Sequence, residues 1–246
     1  MPDMLTTPQG RRIAYHRSAG QGPAVVFLGG FKSDMNGTKA VHLEAWAQTQ
    51  GRAFLRFDYS GHGESDGAFE DGSIGDWQQD AMAVLGLVDG PLVLVGSSMG
   101  GWISLLCARA MPDRIAGLVT IAAAPDFTED SMWAGFDDVQ KAALARDGRI
   151  ALPSEYGEPY IITERLITEG RKTLVLRDPL DLPFPVRFLQ GTADADVSTA
   201  TAQRLLDHAT GPDMRLTLVK GADHRFSDDT CLALICTALE EVLARA

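Results

Sequence analysis

Ser98 stands at the centre of Gly96-Ser97-Ser98-Met99-Gly100, a G-x-S-x-G run that follows the apolar stretch Pro91-Leu92-Val93-Leu94-Val95 and opens a segment of helical character. A serine at a sharp turn between strand and helix projects its hydroxyl outward, beside the positive end of the helix. The positions two before and two after come too close for a Cβ, so both are glycine. Ser97 fails this pattern, because Val95 stands two before it. Gly101 lets a neighbouring element pack closely. A hydroxyl needs a base to become a nucleophile, and the base needs an acid to orient it. Where such a turn serves, the partners follow in the order acid, then histidine. His224, in Gly221-Ala222-Asp223-His224 after the last apolar run, is the expected base. His16 and His42 precede the serine, and His208 lies within a helical run. His62, in Ser60-Gly61-His62-Gly63-Glu64-Ser65, is out of order for the base and is expected in a pocket wall or its loop. The acid should follow the run Val186 to Gln190. Asp194 is favoured there, Asp196 reads as a helix cap, and Asp126 is a remote rival. The tetrahedral oxyanion needs two N–H donors. Met99, next after the serine, supplies one; Phe31, in Gly29-Gly30-Phe31-Lys32, is expected to supply the other.

These residues need a scaffold that brings strand ends together. The runs Ala24–Leu28, Ala53–Phe57, Pro91–Val95, Ile115–Ala124, Val186–Gln190 and Met214–Lys220 are nearly continuous apolar stretches, as in strands covered on both faces. Between them Trp77–Val88, Ser98–Ala110, Thr199–Ala209 and Ser227–Ala244 have helical character, the first opened by a cap at Ser73 to Asp76. The alternation predicts a doubly wound, mostly parallel α/β sheet. Met4–Arg17, around Pro8-Gln9-Gly10, reads as a leading hairpin. One domain is expected over 1–246. Residues 126–178 break the alternation, showing no convincing strand before Leu174-Val175-Leu176. Helix-like pieces at Phe136–Arg146 and Ile161–Glu169 suggest a small helical cap, since so long a loop is rarely structureless. Some of its aromatics Phe127, Trp133, Phe136, Tyr156 and Tyr160 should face the pocket as an apolar wall, Tyr156 nearest Ser98.

The composition excludes other classes. The chain has 246 residues, 45% hydrophobic and 22% charged, as in an ordinary globular protein. Its 22 basic and 33 acidic residues give a net charge of −11, which argues against nucleic acid and anionic lipid. No apolar run is long enough to span a membrane. Cys107, Cys231 and Cys236, an odd and sparse set, suggest reduced thiols. With no targeting peptide read at the start, a cytoplasmic location is expected. Metal ligand spacings and phosphate-binding glycine loops are absent, so neither metal nor cofactor is expected.

Taken together, these residues resemble the α/β-hydrolase superfamily over nearly the whole chain. Gly30-Phe31 with Met35-Asn36-Gly37-Thr38-Lys39-Ala40, Arg56-Phe57-Asp58-Tyr59-Ser60-Gly61, Val95 to Trp102, Pro153-Ser154 with Tyr156, and Asp223-His224-Arg225 resemble the mycophenolic acid acyl-glucuronide esterase and palmitoyl-protein thioesterase family. The resemblance implies an α/β-hydrolase fold, Ser98 as nucleophile, Asp194 as acid, His224 as base, and hydrolysis of acyl esters and thioesters. Tyr156, Trp102 and His62 are the expected substrate-binding residues. Gly29-Gly30 stands where many α/β-hydrolases have His-Gly, and His62 where the family has an apolar residue. The family's animal members are mitochondrial. The expected substrate is a small acyl ester or thioester of short to medium chain, or an S-acylated protein, cleaved by a monomer or homodimer. The alternatives are a peptidase or another acyl or carbon–carbon hydrolase on the same triad, and a non-catalytic binding protein.

Overall fold

Residues 1–153 and 159–246 are described by the computed structural model. Alternate residues of the apolar runs feed two separate layers, which is what a strand buried on both faces requires. In β3 (Gln21–Leu28) Ala24, Val26 and Leu28 face one core, while Val25 and Phe27 face the other. β5 (Leu92–Ser97) divides the same way and is buried throughout. With β1 (Asp3–Thr6), β2 (Arg12–Ser18), β4 (Arg52–Phe57), β6 (Ile115–Ile121), β10 (Val186–Gly191) and β12 (Met214–Val219) they form an eight-stranded sheet. Its order is β1-β2-β4-β3-β5-β6-β10-β12. The leading hairpin joins antiparallel, and the strands from β4 to β12 run parallel.

Helices α1 (Thr38–Thr49) and α7 (Asp229–Leu243) cover one face. The other face carries α2 (Ile74–Leu85), α3 (Met99–Ala110) and α6 (Thr199–His208), with the chain that links β6 to β10. Caps set the ends: Ser73, Ser198 and Asp228 accept from the N–H groups of Asp76, Thr201 and Cys231. Two-residue strands β9 (Leu180–Asp181) and β11 (Ala209–Thr210) pair beside α6.

Three local readings change. Helix α1 stands where no helix was expected. Its core-facing residues are Ala40, Leu43 and Ala47, and two alanines make a faint apolar stripe. The linking chain is mixed rather than helical. It holds a wide helical turn at Thr128–Trp133, α4 (Asp138–Asp147), and α5 (Glu164–Gly170), but also the antiparallel hairpin β7 (Arg149–Leu152) and β8 (Tyr160–Thr163). The expected helix at Ile161–Glu169 therefore splits, because Thr163 caps α5 by accepting from Leu166. Leu174–Leu176 is not a strand; the amides of Val175 and Leu176 are spent on the Asp126 carboxylate instead.

Candidate active site

The loops at the carboxyl ends of β3, β4, β5, β6, β10 and β12 carry the groups that could do chemistry, the position at which open α/β sheets place their sites. Ser98 lies between β5 and α3 with φ +54° and ψ −118°, a strained conformation for a residue with a Cβ. Its own N–H donates to Ile121 O (2.9 Å), and its carbonyl accepts from Gly101 and Ala124. A methyl group on Gly96 would overlap Gly100 O and Ser104 Oγ; one on Gly100 would overlap the Leu28 carbonyl. The two glycines are therefore what allow α3 to start this close to β3 and β5.

Ser98, His224 and Asp194 meet in one hydrogen-bonded line. Ser98 Oγ and His224 Nε2 are 3.0 Å apart. His224 Nδ1 and Asp194 Oδ2 are 2.9 Å apart. The Asp194 side chain is fully buried and saturated: it also accepts from Gln190 Nε2 and from the N–H groups of Asp196 and Val197. Burial pushes the carboxyl up, but the bonds from His224, Val197 and Gln190 outweigh it and hold the group below the ordinary aspartate range. Asp196 is not the cap of α6, which is Ser198; it contributes its N–H to the Asp194 loop. Asp126 lies at φ +58°, fully buried, and accepts from Val175, Leu176 and Arg177. Those bonds make it the anchor of residues 175–177.

Met99 opens α3, so its N–H is one of the helix-start amides without an intrahelical acceptor. On the facing loop a methyl group at Gly30 would lie 3.4 Å from Ser98 Cβ, so Gly30, with Phe31 next to it in the chain, lies beside Ser98. The Phe31 ring is fixed by Phe69 (4.8 Å), Phe127 (5.6 Å), Tyr160 (5.8 Å) and Trp77 (6.0 Å). Phe127 and Tyr160 belong to the chain between β6 and β10, so that chain reaches the edge of the site. Trp133 and Phe136 pack on each other within it.

Two expected substrate contacts have other surroundings. Trp102 is fully buried, donates to Thr173 O (3.1 Å) and packs on Phe127. His62 is 3% exposed and lies among Tyr59, Phe69 and Trp77, its Nδ1 against Ser60 O. Burial lowers its pKa to about 4, opposed by Ser60 and Asp80, so the ring is neutral at pH 7. Both side chains are buried against aromatic rings, out of contact with water. Tyr156 lies outside the described residues.

Asp58 has no role assigned from the sequence alone. Its buried carboxylate accepts from Met35 N–H (2.6 Å) and Glu64 N–H (2.8 Å), tying the loop after β3 to the loop after β4. A methyl on Gly63 would overlap that carboxylate, a spacing signal already present in Asp58 and Gly61-His62-Gly63. Among the described residues Asp194, Asp196 and His224 have donor types and spacing that could hold a cation. Both His224 nitrogens and both Asp194 oxygens are already engaged in hydrogen bonds.

Comparison with known proteins agrees with this architecture. The family model described as Serine aminopeptidase, S33 (Hydrolase_4) matches residues 22–157. The palmitoyl-protein thioesterase ABHD10, mitochondrial, of Rattus norvegicus is 34% identical over 242 residues, covering 97% of this chain and 81% of that protein. The crystal structure of "Putative hydrolase from Agrobacterium vitis S4" superposes with a TM-score of 0.95 at 39% identity, covering 99% of this chain and 98% of that one. The α/β hydrolase domain-containing protein 10 from mouse gives a TM-score of 0.91 at 32% identity, covering 100% of both chains. One third identity sustained from end to end, with a superposition that spans both whole chains, leaves one assignment: the chain belongs to the α/β-hydrolases, in the family of the palmitoyl-protein thioesterase ABHD10.

Proposed function

We propose that the protein is a serine hydrolase that cleaves acyl esters and thioesters through an acyl-enzyme. Ser98 Oγ attacks the acyl carbonyl while His224 Nε2 takes its proton. Asp194 holds the Nδ1–H tautomer and stabilises the imidazolium. The N–H groups of Met99 and Phe31 receive the oxyanion. His224 then passes its proton to the departing alkoxide or thiolate. Water enters by the same steps in reverse order of partners, releasing the acid and freeing Ser98. The observation that carries this reading is the line Ser98 Oγ–His224–Asp194, at 3.0 and 2.9 Å, with Ser98 at a left-handed backbone position.

In this reading one α/β-hydrolase domain spans 1–246, and residues from about 126 to 178 cap the site. The ring contacts of Phe127 and Tyr160 with Phe31 support the cap. The name of the rat relative, palmitoyl-protein thioesterase, favours a thioester and an acylated protein as substrate. No helix among the described residues is long and apolar enough to cross a membrane. Three unpaired cysteines fit a reducing compartment. The sequence reading names it the cytoplasm; the mammalian relatives are named mitochondrial, so the compartment proposed is a reducing one and no finer. A fluorophosphonate probe should label the protein at Ser98, and Ser98→Ala should abolish labelling. Labelling that survives in Ser98→Ala would remove Ser98 from the reaction.

A further inference from the structure

Lys39 lies in the first turn of α1, 186 positions before Arg225, yet its ammonium donates to the Arg225 carbonyl oxygen. Arg225 follows His224 directly. Two costs fall on a cation at that place. It stands at the positive end of a helix, where anions are favoured. It is also half-buried, and burial lowers its pKa to about 8, with Asp223 opposing the shift, Arg225 adding to it and Cys231 of α7 opposing it. Against these costs the ammonium has Asp223 and its hydrogen bond to the Arg225 carbonyl.

What it holds is one side of the loop that carries the base. On the N-terminal side of His224, Gly221 N–H donates to Thr192 Oγ1 and Ala222 O accepts from Ala193 N–H. Those bonds lash residues 221–222 to the loop of Asp194. On the C-terminal side, Phe226 is buried at φ +50°, a conformation that persists only where its surroundings over-determine it. Its N–H donates to Asp223 Oδ1. The carbonyl of Arg225, between His224 and Phe226, accepts from Ser227 Oγ (2.7 Å) and from Lys39. Ser227 belongs to the same loop and moves with it. Lys39 is fixed from outside, on a helix whose entrance is itself held: Arg56, in a partly buried ion pair with Glu44, donates to Met35 O and Asn36 Oδ1.

We propose that Lys39 is a positioning residue for His224, its ammonium fixing the Arg225 carbonyl and with it the backbone on the C-terminal side of the base. The inference rests on the reading of Ser98 and His224 given above. It also joins two sequence segments, Met35–Ala40 and Asp223–Arg225, that share no local contact along the chain. A base must be held within fractions of an ångström of its partner, and small misplacements cost rate while leaving binding intact. The charge matters as well as the donor, because a charge-assisted hydrogen bond is roughly twice as strong as a neutral one.

The test is the rate of fluorophosphonate labelling, with kcat and KM on an acyl thioester and the Tm, for Lys39→Arg, Lys39→Gln and Lys39→Met. In Lys39→Met, labelling and kcat should fall together by about tenfold with KM little changed, on the scale expected for a misplaced catalytic group. Its Tm should not fall, because the cost of burying the charge is removed. Lys39→Gln should be intermediate and Lys39→Arg close to the parent. Parent-like labelling in Lys39→Met overturns the proposal. So does a loss shared equally by Lys39→Arg and matched by a fall in Tm. If Lys39→Met does not fold, Lys39→Gln and Lys39→Arg decide: equal rates at equal Tm overturn it, and a slower Gln variant sustains it. Labelling of the parent that persists in Ser98→Ala instead overturns the underlying reading, and this inference with it.

Discussion

Two buried aspartates sit at neighbouring strand ends, and their hydrogen bonds assign them different work. Asp194 gives one oxygen to His224 and spends the rest of its capacity on Gln190 and two loop amides. Asp126 gives both oxygens to residues 175–177. Asp194→Asn should therefore lower kcat by roughly 10²- to 10⁴-fold with little loss of stability, since the histidine loses its tautomer and its countercharge. Asp126→Asn should keep kcat within a few-fold and cost about 1–3 kcal/mol of stability, as expected when buried donors lose a charged acceptor. Steady-state kinetics and denaturant melts on both variants decide the matter, and the reverse pattern would move the acid to Asp126. His62 gives a pH signature. Burial takes its pKa from the ordinary 6.5 to about 4, so below pH 6.5 the unfolded chain binds a proton that the folded chain refuses. Its contribution is complete above pH 6.5 and is lost as the pH falls towards 4, by up to about 3 kcal/mol at 1.36 kcal/mol per unit. Melts at pH 7 and pH 5 should show the loss, and His62→Phe should flatten it; an unchanged slope in that variant would show that another group sets the acid limb.

The turn at Ser98 depends on how closely α3 approaches β3, and glycine decides that distance. Gly100→Ala should cost more than the about 1–3 kcal/mol of ordinary overpacking, because the new methyl would meet the Leu28 carbonyl, which is backbone and cannot swing away. Gly135→Ala is the control: a methyl there meets nothing within 4 Å, and stability should move by no more than about 0.5 kcal/mol. Thermal melts of the two variants side by side test the approach, and a tolerated Gly100→Ala would mean that the helix start can shift. Elements were legible where their pattern was strong. The both-face-buried runs of β3, β5 and β10 read directly as strands, and the capped α2 and α7 as helices. Helix α1 was missed because Ala40 and Ala47 form a faint stripe, and β7 and β8 because four-residue strands show too little alternation to separate from helix.

Substrate choice belongs to the assembled molecule: in the proposed reaction the N–H groups of Met99 and Phe31, His224 and the chain between β6 and β10 would all act on one acyl group. A thiolate or activated alkoxide leaves with little help, whereas an amine must be protonated in register by His224. Matched acyl esters, thioesters and amides, from acetyl to palmitoyl, should be cleaved with kcat/KM for ester and thioester well above that for amide. An amide preferred over its ester would move the protein to the peptidases. The turn at Ser98 and the order of its hydrogen-bond partners were readable along the chain, because a strand–turn–helix with two forced glycines is a local structure whose sterics act within five residues. Asp194 and His224 were readable for a related reason: each lies in the loop that closely follows a short run read as a strand. The surroundings of Trp102, His62 and Lys39 were not readable. An aromatic or basic side chain carries the same letters whether it lines a pocket, fills a core or braces a loop. Which of these it does depends on what lies across from it, and for Lys39 that partner is 186 positions away. Short-range sterics are written into the order of the residues; burial and long-range pairing exist only once the sheet has closed and excluded water from both faces.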